Sequence, residues 1–500
     1  MNANLPKFIV RVFLLASLVY AATSDASAQN SVDSGDVFHR WVDDPLFAAP
    51  SDSGQRQALP GDISNSPCPA EIDMKSPLSL TDAVDLALCT NPRLRNTWAQ
   101  IKVQAAKVGQ ARAAYLPTMS IQLSKLKNRT TYPNSAIASN DTLGHTTYAS
   151  LNWLLLDFGG RTANLASADA ALQAAIEAHD AEMQKMLGEL ITDYYNAITA
   201  KARFLASVEA TNLAQQTVSS AQRRLQRGVG NRSDFEQAQI ALEKSELTLS
   251  RDVGDFEKAQ AALRFSLGLK PDGKMVLPDL SAPKNTEAVS ALTKWIDLAE
   301  RSQPAIREMR EQVAAARARI ESARSDGMPS LSFTTTFDQN GYPNQGLQII
   351  RTNVTTFGLT LNIPVFDGFL QHYKINEARA QEESAEAQMQ DTEHRILQQV
   401  VSAYSDAVTS LSLLDVSEKL LASSLEAMKS AQNRYDHGVG SMIELLSVQS
   451  SLTDARQQRV LSIAHWDADR LKLLAASGIL GHEAINRQSD QNEKPADKLP

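Results

Sequence analysis

The residue types that carry out most enzyme chemistry occur in this chain, but their spacing forms no catalytic or metal-binding pattern. Two histidines four positions apart could hold a metal from one helical face, and none of the eight forms such a pair. His482-Glu483 opens a zinc-protease motif, yet position 486, where the second histidine belongs, is Asn. Asp157-Phe158-Gly159 spells a kinase metal triplet without a kinase's glycine-rich or catalytic loop. The sequence therefore predicts no enzyme, no cofactor and no resident metal.

The two cysteines of the chain, Cys68 and Cys89, could form a disulfide. Both follow the export signal described below, and lone thiols pair in an oxidising compartment. No histidine neighbours either one, which disfavours a metal site. We expect a Cys68–Cys89 disulfide, with two free buried thiols as the alternative.

Two acidic residues follow a short glycine motif that the chain uses twice. Arg227-Gly228-Val229-Gly230 recurs 210 positions later as His437-Gly438-Val439-Gly440. Asp234 comes shortly after the first motif and Glu444 shortly after the second. A duplicated unit of about 200 residues is too long for a solenoid, whose repeats run to roughly 50 residues. It predicts two equivalent halves, so the function must be sought in what the halves build together.

The bulk properties favour long helices in an exported protein. Aromatic residues make up 6% of the chain, and the net charge of −8 comes from interspersed acids and bases, which predicts no nucleic-acid partner. Lys7, Arg11, an apolar stretch at 12–22 and Ala26-Ser27-Ala28 form a secretory signal peptide at 1–28. The alternative, a membrane anchor, needs about 20 apolar residues. The mature chain would start at Gln29, which is not a lipidated Cys.

Two long stretches without proline, residues 134–270 and 365–494, are free to be helical. Proline costs about 3 kcal/mol inside a helix. In each stretch the glycine motif separates a long helix, at 160–226 or 368–436, from a shorter antiparallel one, at 233–267 or 441–477. A helix of nearly seventy residues reaches about 100 Å, which exceeds any single soluble core. Such helices must pack side by side as coiled coils.

Four other segments alternate apolar and polar residues, which is typical of strands with one apolar and one polar face. They lie at about 118–128, 145–156, 330–338 and 350–363. Each has about the length of a tilted membrane-spanning strand. The polar segments Lys125–Thr146 and Asp338–Arg351 connect them and would face outside. We predict an outer-membrane β-barrel; the alternative is two amphipathic hairpins packed on a soluble core.

Four strands cannot close a barrel, because the smallest single-chain barrels use about eight. An open sheet edge in lipid would leave backbone groups without hydrogen bonds. The chain must therefore oligomerise, and the residues by themselves favour neither two copies nor three.

The order of these motifs resembles the TolC family of outer-membrane channel proteins over residues 78–480. The resemblance rests on the duplicated helix–strand–strand–helix plan, Tyr115-Leu116-Pro117 before the first hairpin, the Phe158-Gly159-Gly160 and Phe366-Asp367-Gly368 turns, and the paired GVG turns. It implies a mainly α-helical chain with membrane β-structure: a trimeric twelve-stranded barrel, four strands per chain, on an α-helical periplasmic tunnel. It also implies outer-membrane lipid around the barrel, a periplasmic adaptor (membrane fusion) protein, and an inner-membrane ABC or proton-driven transporter.

The resemblance also implies a gate and docking surface at the helical tips. Asp234, Tyr435 and Glu444 match the family's gate and pore positions. Ser447 stands where the family has a second pore aspartate. Gly440 stands where the family has a gate arginine, and Arg232 or Arg227 is the candidate substitute. The tip residues for adaptor docking are Arg227, Gly228, Val229, Gly230, His437, Gly438, Val439 and Gly440.

Three Glu444 carboxylates around one axis would attract cations. The alternative is a solvated glutamate near a helix N-terminus, where the macrodipole favours a negative charge.

The predicted function is a passive exit duct across the outer membrane and periplasm. Type I secretion of unfolded, toxin-like proteins is favoured mildly by the absence of a lipidated cysteine. Efflux of small molecules is the first alternative, and a periplasmic coiled-coil scaffold without a pore is the second. We expect a flexible segment at 29–77, repeats at 78–270 and 291–480, a linker at 271–290, and a disordered tail at 481–500.

Overall fold

The computed structural model describes residues 44–46, 48, 76–131, 133, 140–270, 272–273, 275–280, 289–340, 352–482 and 484–485. The chain divides into two compact units, residues 1–48 and 49–500. In the first, the amide of Ala48 donates a hydrogen bond to the Asp44 carboxylate. Every helix and strand below belongs to the second. The predicted signal peptide at 1–28 lies outside the described residues.

The helices of the second unit form pairs of equal length, one from each half of the chain. α1 (Leu80–Thr90) and α5 (Leu292–Ser302) have 11 residues each, and α2 (Pro92–Ala113) and α6 (Pro304–Ser325) have 22. α3 (Gly160–Gln226) and α7 (Leu370–Asp436) have 67, and α4 (Arg232–Ser266) and α8 (Met442–Ala476) have 35. The duplication seen in the sequence is therefore a duplication of structure.

The strands form one antiparallel sheet in the order β1-β2-β3-β4. They span β1 (Thr118–Thr130), β2 (Asn140–Leu156), β3 (Ser330–Asn340) and β4 (Thr352–Asn362). β1 pairs with β2 without a register shift, whereas β2 has an irregularity between Leu154 and Leu156 where it pairs with β3. β1 and β4 are the two edges of this sheet, so each leaves one side of its backbone unpaired.

Each half has the same helix break, closed by the same type of contact. Asn91 separates α1 from α2, caps α2 by accepting from the amide of Arg93, and donates from Nδ2 to the carbonyl of Ser266. Gln303 separates α5 from α6 and donates from Nε2 to the carbonyl of Ala476 at 2.7 Å. In both halves an amide side chain at the break bonds the last turn of the returning helix. These contacts tie the short helices to the long hairpins.

The main core lies where α1, α3, α4 and α8 meet. Leu187, Leu190 and Ile191 of α3 are fully buried there, next to Ala83 and Val84 of α1. The Tyr194 hydroxyl is buried in the same core and donates to the carbonyl of Leu78 at 2.9 Å.

Among the described residues, none of the helices has the length and hydropathy that crossing a bilayer requires.

The predicted linker at 271–290 is packed in its described part: Leu277 is buried, and its carbonyl accepts a hydrogen bond from Lys201 Nζ at 2.7 Å. Two other sequence predictions need correction. Lys125–Thr146 is not one loop, because β1 continues to Thr130 and β2 begins at Asn140. The predicted tail at 481–500 is not disordered at its start, because Ile485 is fully buried and His482 contacts Asp85 at 2.7 Å.

A buried histidine of α3, His179, packs against α2. His179 is 3% exposed, its Nδ1 lies 2.6 Å from Thr97 Oγ1, and its ring meets Trp98 edge-on. Its Nε2 is buried without a partner in the structure. Burial lowers the pKa of His179 to about 4. The neighbouring Asp180 carboxyl has its pKa raised to about 6, first by burial and then by Glu177.

His179 should make the fold sensitive to acid. Its pKa is lowered in the folded state, so between pH 6.5 and about 4 the unfolded chain binds more protons and acid reduces stability. Asp180 has a raised pKa in the folded state, so its protonation increases stability over an overlapping pH range. The effect of His179 is therefore isolated by comparing wild type with a variant that lacks the histidine. The melting temperature of His179→Gln in detergent should rise relative to wild type as the pH falls from 7 to 4.5. If the difference in melting temperature between His179→Gln and wild type stays constant over that pH range, His179 is not held neutral by burial.

Candidate functional site

Two tight turns close the helical hairpins at the end of the molecule opposite the sheet. In the first, the amides of Val229 and Gly230 both donate to the carbonyl of Arg224, at 3.1 and 3.0 Å. In the second, the amides of Val439 and Gly440 both donate to the carbonyl of Arg434, at 2.9 Å. These bonds satisfy the carbonyls that a helix end leaves unpaired.

Glycine is needed in both turns because the backbone enters the left-handed region. Gly228 has φ of +73° and Gly438 has φ of +78°. Side chains other than that of glycine are strained at such angles. The two reversals therefore share one backbone geometry, as the repeated motif predicts.

A small apolar cluster joins the two hairpins just above the turns. Its buried members come from all four helices: Ala214, Val218 and Ala221 of α3, Ala238 and Leu242 of α4, Ala431 and Tyr435 of α7, and Met442 and Leu445 of α8. Tyr435 is the large aromatic residue of this cluster and is 4% exposed. The tips are thus packed against each other within one subunit.

Arg224 holds Tyr435 from the other hairpin. Its Nη1 donates to the carbonyl of Tyr435 at 2.8 Å, and its guanidinium lies 4.9 Å from the centre of the tyrosine ring. Burial raises the pKa of Tyr435; Arg224 opposes part of that rise, while Asp234 adds to it. A charged hydrogen bond and a cation–π contact here connect the end of α3 in the first half to the end of α7 in the second.

Glu444 is paired within its own hairpin. Its carboxylate lies 3.2 Å from Arg434 Nη1, and its amide donates to the Ser441 hydroxyl, the N-cap of α8. The Arg434 and Glu444 side chains are 54% and 37% exposed, so the pair is a surface ion pair of roughly 1 kcal/mol or less. Arg434 stands 210 positions after Arg224, so these two arginines occupy the same position of the repeat.

The structure brings Asp234, Tyr435 and Glu444 to the same end of the molecule. Arg232 pairs with Glu236 at 3.6 Å, and neither Arg232 nor Arg227 is the cation paired with Glu444. Arg224 and Arg434, which lie about one helical turn before the glycine motifs, are not among the site residues predicted from the sequence. The signal that could have found them is the repeat itself, which places Arg at both positions.

The remaining predicted site residues lie around the turns. Ser447 is exposed, and its carbonyl accepts from the Ser451 hydroxyl. His437 Nδ1 lies 2.7 Å from the carbonyl of Asn433. Val229 and Val439 are 68% and 71% exposed, so each turn presents an apolar side chain outward.

Cys89 is in a disulfide. Cys68, the only other cysteine of the sequence, lies outside the described residues, so its pairing with Cys89 stays a prediction.

The fold and the tips together define a class of protein: a membrane β-sheet on long helical hairpins, the architecture of outer-membrane channels with a periplasmic tunnel. The family model described as "Outer membrane efflux protein" matches residues 83–269 and 295–479. The chain belongs to the outer membrane efflux protein family, and the resemblance noted in the sequence is confirmed.

Individual relatives agree with this assignment. The chain is 34% identical to Protein CyaE of Bordetella pertussis over 421 residues, covering 84% of this chain and 88% of CyaE. It is 24% identical to the cation efflux system protein CusC of Escherichia coli O6:H1, covering 71% of this chain and 78% of CusC. The solved open state of the Neisseria gonorrhoeae MtrE outer membrane channel superimposes with a TM-score of 0.67 at 19% identity, covering 80% of this chain and 88% of MtrE.

Membership fixes the location and general role. The protein is an outer-membrane channel that extends into the periplasm. Its family consists of channels rather than enzymes, and its members form trimers that work in tripartite systems with periplasmic adaptors and inner-membrane transporters.

Removing the Arg224 side-chain charge should loosen the contact between the two tips. In Arg224→Met the hydrogen bond to Tyr435 and the cation–π contact are lost, and exposure of the backbone at 433–440 to hydrogen exchange should increase. Charged hydrogen bonds contribute about 1.5–3 kcal/mol, which corresponds to roughly ten- to a hundredfold faster exchange if the opening is local.

Arg223→Met is the matched control, since Arg223 is exposed on the preceding position of the same helix. Equal exchange rates in wild type and Arg224→Met, measured by mass spectrometry of the detergent-solubilised channel, would show that Arg224 does not hold the tips.

Proposed function

We propose that the helical tips form the periplasmic mouth of a passive exit duct, closed at rest by contacts within and between subunits. The observation that carries the proposal is the Arg224–Tyr435 contact, since it joins the two hairpins of one subunit at the end opposite the sheet. A mouth opens when its hairpins separate, and this contact must break for that to happen. The duct itself supplies no energy; the partner transporter does.

The partners follow from the exposed surface of the turns. Val229 and Val439 present apolar side chains next to the polar residues Arg227 and His437. We assign this surface to a periplasmic adaptor protein, which connects the channel to an inner-membrane ABC or proton-driven transporter. The assembled channel is a homotrimer in outer-membrane lipid.

The proposed cargo is an unfolded polypeptide delivered by type I secretion. A cavity of about 480 Å³ between α2, α3, α6 and α7 of one subunit is lined largely by alanines and by amides such as Gln312, Gln381 and Gln388, with Glu308 and Arg319 as its charged residues. Pockets that hold drug-sized molecules are lined predominantly by hydrophobic and aromatic side chains. The lining of this cavity includes no aromatic side chain, which favours a polypeptide over a small molecule as the cargo.

Efflux of small molecules is the second candidate. It is favoured by the similarity to CusC, whose name is that of a cation efflux system protein, and by the acidic residues at the tips. Asp234 and Glu444 would draw cations toward the mouth, whatever cargo the transporter supplies.

The two cargo classes can be separated by deleting the gene in its own host. Loss of specific proteins from the culture supernatant, with unchanged tolerance of dyes, detergents and metal salts, is expected. The converse result, lower tolerance with an unchanged supernatant, would replace polypeptide export with efflux.

Glu444 is expected to set the ion preference of the mouth. Glu444→Gln should lower the cation-to-anion permeability ratio of single channels in planar bilayers by roughly two- to fivefold. The substitution removes three carboxylate charges from around the pore axis. Arg434→Gln should raise the ratio, since it frees each Glu444 from its ion pair. Ser447→Ala is the control and should leave the permeability ratio almost unchanged, because it changes no charge.

These recordings also test the alternatives for Glu444 and for the whole chain. If both charge variants conduct like wild type, Glu444 is an ordinary solvated residue near a helix N-terminus. If the purified wild-type protein stays soluble without detergent and gives no conductance, it is a periplasmic scaffold without a pore.

A further inference from the structure

One face of β1 changes from apolar to basic along its length. Successive residues of a strand point to opposite faces, so positions 119, 121 and 123 share a face with 125, 127 and 129. The first three are Met119, Ile121 and Leu123, which are 48%, 59% and 74% exposed. The next three are Lys125, Lys127 and Arg129, and no register shift separates the two sets. We call these three cations the basic row.

The apolar part of this face is directed toward lipid. The opposite face carries Ser120 and Ser124, which are hydrogen-bonded to Ser150 and Thr146 on β2. Membrane barrels place the apolar side of each strand outward and the polar side toward the lumen. The basic row therefore points away from the lumen as well.

The basic row lies at the external boundary of the membrane. β1 leaves the helices at Thr118, and the helices are periplasmic, so the strand runs outward from there. At about 3.4 Å per residue and a tilt of about 40°, Lys125 stands roughly 18 Å and Arg129 roughly 29 Å above Thr118 along the membrane normal. The apolar band of such barrels is about 25 Å tall. If the inner edge of the apolar band lies at Thr118, where the strand begins, the row crosses from the upper acyl chains to the headgroups.

Among the described residues of this region, the positive charges outnumber the negative ones that pair with them. Asp141 on β2 lies 3.3 Å from Lys127 Nζ and 3.6 Å from Arg129 Nε, so one carboxylate serves two cations. Lys127 and Arg129 remain 67% and 71% exposed. Lys125 faces His145 across the pair of strands, and it has no ion pair in the part of the chain that the structure describes.

The second half of the chain has no such row on its described strands. The lipid-side residues of β3 are Phe333, Thr335, Phe337 and Gln339, and those opposite the last two on β4 are Thr355 and Asn353. The duplication has preserved the strands but not these charges. The basic row is therefore a feature of the first hairpin, present three times around a trimer.

We propose that the basic row binds the phosphate groups of an anionic lipid in the external leaflet of the outer membrane. A lipid is the occupant because its acyl chains would cover Met119, Ile121 and Leu123 while its phosphates meet the cations directly above them. Lysine and arginine stems can cross the last apolar layer and place their charges at headgroup level. The proposed lipid site rests on the position of the barrel in the membrane. It does not depend on which cargo the channel exports.

The probe for this site is bis-phosphorylated lipid A, compared with the same lipid after removal of its phosphates. The full-length channel, labelled and in neutral detergent, should bind the phosphorylated form about tenfold more tightly or better, with an affinity that falls as salt increases. The triple variant Lys125→Gln, Lys127→Gln, Arg129→Gln should lose this preference.

Two further variants sharpen the result. Asp141→Asn frees two cations of the basic row and should strengthen binding of lipid A, which a variant that merely disturbs the barrel would not do. Lys102→Gln, Lys107→Gln, Lys185→Gln removes three exposed charges from α2 and α3 and should bind as wild type does.

Several outcomes would overturn the proposal. These are equal binding of both lipid forms by wild type, equal loss in the helical control, or weaker binding by Asp141→Asn. If inorganic pyrophosphate binds wild type as tightly as lipid A, the row recognises free phosphate and not a lipid. Should the triple variant fail to assemble, Asp141→Asn alone decides the matter. Channel conductance is measured in parallel, so that loss of the lipid site is distinguishable from loss of the duct.

Discussion

The unpaired edges of the β-sheet dictate how this protein assembles. β1 and β4 each carry a row of backbone N–H and C=O groups with no partner on the outer side. In lipid there is no water to bond them, and each unsatisfied group costs several kcal/mol. A second copy of the same sheet supplies the missing strand at each edge, and closure of the ring removes every edge. Association of several copies of the chain is therefore a condition of membrane insertion.

The helical part follows from the same duplication that supplies the strands. The helices have equal lengths in the two halves, and each half closes its helix break with an amide side chain, Asn91 or Gln303, bonded to the returning helix. Equal lengths allow both turns to reach one level, where the apolar cluster around Tyr435 joins them. The two halves differ at their tips. Arg224 crosses to the other hairpin, whereas the equivalent Arg434 binds Glu444 in its own.

Much of the fold could be predicted because its signals are local and periodic. The proline-free stretch and the glycine motif predict a first long helix at 160–226, and the structure has a helix with the same bounds. The alternation of apolar and polar residues located all four strands. The predicted β1 and β3 end earlier, and the predicted β2 begins later, than the observed strands, because polar residues beyond the apolar stretch still pair in the sheet. The tail was misjudged because Ile485 and His482 are isolated in a polar segment, and only their distant contacts show that they are packed.

The sequence by itself determined the repeat, the element types, the membrane strands and the need for partners, since each depends on residues close together in the chain. Only the tertiary structure decided which side chains of the first half meet which residues of the second. The partners Arg224 and Tyr435 are separated by 211 positions, and no local pattern records that distance. Long-range pairing depends on how the helices lie against each other. That arrangement results from the packing of the whole chain.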